Sequence, residues 1–80
     1  MKAIVNVFLK PGVLDSQGKA VHHALSSHHF DTVEDVRVGK QIVLQLSETD
    51  ADKAKKDVEL MCEELLANTV IEDYTIEIVQ

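Results

Sequence analysis

The sequence predicts an α+β fold with elements in the order βαββαβ. Three observations carry that expectation: alternating β-branched runs near both chain ends, two amphipathic stretches of helical period, and a pair of short alternating runs between those stretches. The smallest architecture that buries all of these faces is a two-layer sandwich, with two helices packed on one face of a four-stranded antiparallel sheet. Eighty residues suffice for one such domain, spanning residues 1–80, with a modest core.

Each element has its own signal. In "AIVNVFL", residues 3–9, apolar side chains alternate around Asn6, as a pleated strand with one buried face requires. From Ser16 to about Ser27, Val21, Ala24, Leu25 and His28 recur at three- and four-residue spacing after an Asp15 or Ser16 cap, which predicts a helix laid on the sheet. Gly18 in its first turn costs about 1 kcal/mol relative to alanine, so it suggests close approach of neighbouring backbone. "VEDVRVGKQIVLQL" places Val36 and Val38 before a Gly39-Lys40 turn and Ile42, Leu44 and Leu46 after it, the pattern of an antiparallel hairpin. The next helix opens with Thr49 three residues before Asp52, a variant capping box. Ala51, Ala54, Val58, Met61, Cys62 and Leu65 form its apolar stripe. "YTIEIVQ" alternates Tyr74, Ile76 and Ile78 against Thr75, Glu77 and Val79 as the terminal strand.

If strand one runs up in this ferredoxin-like arrangement, strand two runs up and strands three and four run down. The loop Lys10–Gly18, the turn Gly39-Lys40 and the connection Asn68–Asp73 then share one end. That loop holds the sole proline, Pro11, and two of the three glycines, with apolar Val13 and Leu14 between them. A purely solvated connection needs neither apolar residue. The loop is either pinned to its own core or offered to a partner.

Composition narrows the function. Eight basic against fourteen acidic residues give a net charge of −6, which repels a phosphate backbone and argues against nucleic acid. A lone cysteine makes no internal disulfide, and no apolar run has the length of a membrane span. The expectation is a cytoplasmic protein without a membrane role. With 4% aromatic residues the core is aliphatic, and an acidic domain this small is expected to associate with copies of itself or with a larger protein.

The reactive side chains fall into no catalytic or metal-binding pattern. His22, His23, His28 and His29 contain no pair at the i, i+4 spacing that places two ligands on one helical face, so solvated imidazoles are the better reading and no metal is expected. Cys62 lies on the apolar stripe between Met61 and Leu65, which makes it a buried hydrophobe rather than a nucleophile. The carboxylates of residues 48–64 alternate with Lys53, Lys55 and Lys56 as on a solvated helix face. A phosphate-binding loop after strand one would need an arginine there, whereas the only one is Arg37. RNA-reading aromatics on strand three and paired cysteines after strand one are also missing. No catalytic residue is expected.

"LKPGVLDSQGKAV", followed in order by "DVRVGK", "MCEELLAN" and "VIEDY", resembles the PurS family, the small subunit of phosphoribosylformylglycinamidine synthase, over essentially the whole chain. The resemblance implies a non-catalytic subunit in de novo purine biosynthesis. It would associate with a glutaminase subunit that releases ammonia and a large synthetase subunit that uses ATP with magnesium; no cofactor would be bound by this chain. Two positions depart from the family pattern: Ser16 and Thr69 stand where prolines are common, loosening two loops without removing a polar contact. "SSHHFDT" stands where a glycine often ends the first helix, so either His29 takes a left-handed conformation or the helix ends differently.

Together, topology and resemblance make the shared end a docking surface. Its expected partner-binding residues are Lys10, Pro11, Gly12, Val13, Leu14, Asp15, Gln17, Gly18, Lys19, Arg37, Gly39, Lys40, Asn68, Glu72, Asp73 and Tyr74. Val13 or Leu14 would supply apolar contact, and Lys10, Lys19, Arg37 and Lys40 positive charge. A homodimer at least is expected, with a tetramer and strand exchange between protomers left open. The alternative from another class is a free-standing regulatory module that holds a small effector between paired domains.

Overall fold

Alternation in the first run is realised as a central strand. In the computed structural model, which describes residues 1–80, β1 spans Lys2–Leu9, α1 Ser16–Ser27, β2 Gly39–Gln45, α2 Ala51–Met61 and β3 Glu72–Val79. The sheet is antiparallel in the order β2-β1-β3. Val5 pairs with Ile42 on one side and Ile76 on the other, which sets one register for all three strands. Ala3, Val5 and Val7 point to one face and are wholly or almost wholly buried. Ile4, Asn6 and Phe8 point to the other, where Gln41 Nε2 donates to Asn6 Oδ1 at 3.0 Å across the strands.

α2 closes the buried face. Ala54, Val58 and Cys62 recur every four residues and pack against β1 and β3, with Tyr74, Ile76 and Ile78 at the margin of the core. Its cap is Asp50, whose carboxylate accepts from the amides of Asp52 (3.0 Å) and Lys53 (3.4 Å). Thr49, the expected cap, instead gives its amide to Glu48. Beyond Met61 the helix widens into a π-turn over Cys62–Leu66, closed by the Ala67 amide on the Cys62 carbonyl at 3.1 Å. The inserted residue rotates the stripe, so Leu65 is 84% exposed and Leu66 turns inward.

Two expectations are corrected. The sheet has three strands, not four, because residues 36–38 form no strand and β2 begins at Gly39, where a hairpin turn was expected. Side chains take the groups that a ladder would use: the Val36 amide donates to Asp35, the Val38 amide to Asp15, and Arg37 donates to the Leu9 carbonyl. Only α2, moreover, lies on the sheet. α1 makes at most marginal contact with other elements, leaving Val21 43% exposed. The outline is accordingly long, 48 × 26 × 14 Å.

α1 ends as a Schellman motif, in which the Phe30 amide reaches the Leu25 carbonyl (3.0 Å) and the His29 amide the Ser26 carbonyl (3.1 Å). The left-handed position falls on His29, with φ 69°.

Candidate functional site

The strand register brings the three connections to one end. β1 finishes at Leu9 opposite Glu72, and Phe8 lies opposite Gly39, so the loop after β1, the start of β2 and the start of β3 adjoin. Leu14, Asp15, Gln17, Gly39, Lys40 and Glu72 line one shared cavity of about 340 Å³. Gly12, Val13, Lys19 and Arg37 line a second of about 190 Å³ on the other side of Leu14 and Asp15.

The loop's punctuation has a local cause. Lys10–Val13 closes a turn, the Val13 amide donating to the Lys10 carbonyl at 3.1 Å, with Pro11 second and Gly12 third at φ 89°. That is the arrangement of a type II turn, whose third position requires a positive φ. The turn delivers Leu14 to the surface, 70% exposed, and Asp15 to the cap of α1.

Asp15 is tied twice. Its Oδ1 accepts from the Gly18 amide at 2.8 Å and its Oδ2 from the Val38 amide at 2.9 Å. These two amides, with Arg37 and Lys19 nearby, hold its carboxyl below the usual aspartate value. Gly18 is buried, and a β-carbon there would collide with the Val36 carbonyl oxygen and with Asp15. Its part is close packing; it offers no side chain to a partner.

The third connection is closed by its own polar groups. The Asn68 carbonyl accepts from the Ile71 (3.0 Å) and Glu72 (2.7 Å) amides, and Glu72 returns a carboxylate oxygen to the Asn68 amide at 2.7 Å. Asn68 Oδ1 also accepts from the Val70 amide, which leaves the Val70 side chain 81% exposed. The Lys10 amide donates to the Ile71 carbonyl at 2.8 Å, and its ammonium lies 4.0 Å from Asp73. Tyr74 faces the α2 layer, where partial desolvation and nearby Glu63 raise its phenol above the ordinary value.

Of the basic residues expected to offer charge, Lys10 and Arg37 are therefore already engaged within the chain, while Lys19 and Lys40 are exposed. Sequence reasoning missed Leu65 and Val70 as exposed apolar residues. The only available signal for Val70 was its place directly after Asn68-Thr69 in a turn, and the π-turn that expels Leu65 leaves no signature in apolar spacing.

No three His, Cys, Asp or Glu side chains are grouped to hold a metal ion, and no helix is long and apolar enough to cross a membrane. A three-stranded sheet covered by one helix, with exposed apolar residues in the loops at one end, defines a small α+β module. Residues 2–80 match the family model described as PurS, phosphoribosylformylglycinamidine (FGAM) synthase, and the chain belongs to that family. The PurS subunit of Bacillus subtilis is 52% identical over 79 residues, covering 96% of this chain and 90% of that protein. The one from Synechocystis is 46% identical over 92% of this chain and 74% of its own length. The solved structure of B. subtilis PurS superposes with a TM-score of 0.87 at 51% identity, over 99% of this chain and 98% of that one. A chain in the structure of PurLQS from Thermotoga maritima also gives 0.87, at 32% identity over 95% and 93%. The chain is thus a non-catalytic subunit of a purine-biosynthetic ligase.

Proposed function

We propose that this chain, acting as one domain in the cytoplasm, holds the glutaminase and synthetase subunits of the enzyme in register so that ammonia passes between them without escaping to water. ATP and magnesium belong to the synthetase partner. The observation that carries this reading is the loop edge, with Leu14 and Val70 70% and 81% exposed in a chain whose relative occurs in the PurLQS structure. Lys19 and Lys40 add positive charge to an acidic molecule whose remaining surface would be repelled by acidic partners. Co-purification with the glutaminase and synthetase of the same cell tests it. Recovery of either large subunit without this chain under assembly conditions counts against the bridge.

The same chain acts as a homodimer at least. Its accessible surface is 5821 Å², whereas a folded monomer of this mass exposes about 4,800 Å². The excess, about 1,000 Å², matches one partner's share of an ordinary interface. Its radius of gyration is 16.0 Å, against about 12 Å for a compact chain of this length. The open stripe of α1 and the only partly buried Ile42 and Leu44 of edge strand β2 are complementary in kind. A second copy that lays α1 against the uncovered part of the sheet would complete the two-helix layer expected from sequence. Light scattering at tens of micromolar should give a dimer or tetramer, and a monomer would refute it.

A further inference from the structure

Asp15 sits where three segments meet, and both of its carboxylate oxygens are committed inside the chain. One oxygen closes the first turn of α1 through the Gly18 amide; the other reaches 23 residues along to the Val38 amide, immediately before β2. Capping alone uses one oxygen. The second bond joins the helix start to the edge strand of the sheet, where α1 otherwise makes almost no contact. Gly18 permits the approach, because a β-carbon would strike the Val36 carbonyl, and Arg37 ties the same segment to the end of β1 through the Leu9 carbonyl.

We propose that Asp15 is a positioning residue: its bridging carboxylate fixes the direction of α1 relative to the sheet, and with it the placement of Leu14 against Lys40. This geometry stands without the docking role proposed above; only its consequence for assembly rests on that role.

Asparagine and serine cap helices about as well as aspartate, so a capping role alone predicts that Asp15→Asn and Asp15→Ser behave as the wild type. A bridging role predicts otherwise. Asparagine has one accepting oxygen for two amides, and serine is too short to span both. In the full-length protein, the Val38 amide should exchange about tenfold faster or more in either variant, with Gly18 protection and α1 helicity retained. Residual dipolar couplings of α1 and of the sheet should fit one alignment frame in the wild type and fail to do so in the variants. Unchanged Val38 exchange in both variants overturns the proposal, as does a single shared alignment frame after the bond is lost. A parallel Leu14→Ala protein, titrated with the glutaminase and synthetase, separates this from the docking role. Normal assembly there would remove the consequence and leave the brace to be judged by its own two readouts.

Discussion

Replacing Leu14 gives the most direct measure of the proposed assembly edge, because its side chain contributes little to the isolated fold. It is 70% exposed, and complete burial of a leucine is worth roughly 1.5–3 kcal/mol. A partner that covers the exposed portion therefore gains about 1–2 kcal/mol, so Leu14→Ala should weaken assembly by about 5- to 30-fold. Leu14→Asp should weaken it further, since a carboxylate would be stripped of water at the same place. The assay is a titration of this chain into glutaminase and synthetase, reading glutamine-dependent and ammonium-dependent amidine synthesis side by side. At subsaturating concentration the glutamine-dependent rate should fall in proportion to occupancy. The ammonium-dependent rate should fall much less, because that route needs no alignment of two active sites. Thermal melting must first show the variants folded. Equal loss with both nitrogen sources, or a change in affinity under twofold for Leu14→Ala, would refute the reasoning. Direct support of the synthetase's own site would then be the better explanation.

Three further outcomes follow from local geometry. Cys62→Ala should lower stability by roughly 1–2 kcal/mol through the cavity beside Val58, and the native thiol should label slowly, since burial and the nearby Glu63 and Glu59 raise its pKa; fast labelling of native protein contradicts this. His29→Gly should raise stability by about 1 kcal/mol, because φ 69° strains a residue with a β-carbon, and a lower melting temperature would show that the imidazole does more than end the helix. Asp15 has a depressed native pKa, so its contribution is complete above the unfolded aspartate value of about 3.9 and disappears as pH falls through the native one. Wild type and Asp15→Asn should accordingly differ at neutral pH and converge in strong acid, and a constant difference across that range would count against the carboxylate.

Elements that carry their own period were readable from sequence. Burial alternates along most of β1 and β3, and Ala54, Val58 and Cys62 repeat every helical turn, so strand, helix and buried cysteine followed from spacing. The gathering of the three loops at one end followed as well, since it depends only on strand directions. What failed depends on bonds between distant residues. Val36 and Val38 have the spacing of a strand, yet the Asp15 carboxylate and the Arg37 guanidinium tie that segment to the first loop. The α1 stripe reads as a face that must be buried, which is true of the pattern and says nothing of which chain buries it. Leu65 was misplaced because the π-turn over Cys62–Leu66 shifts the helical phase.

The departures share a physical consequence. With α1 away from the sheet, the core reduces to Ala3, Val5 and Val7 against Ala54, Val58 and Cys62, six buried apolar residues in a chain of eighty. Such a core is marginal for this length, and the apolar surface left on α1 and β2 is too large to be indifferent to its surroundings. Association with a second copy would then supply part of the folding free energy as well as the form of the subunit. The loop edge is built on different terms. It is held by a type II turn, by the Asp15 carboxylate and by the closed Asn68–Glu72 connection. None of these draws on the uncovered face. A chain arranged in this way can commit its apolar face to its own kind and still keep Leu14, Lys40 and Val70 at the sheet's end for unlike partners, which is the division that the proposed bridge between glutaminase and synthetase requires.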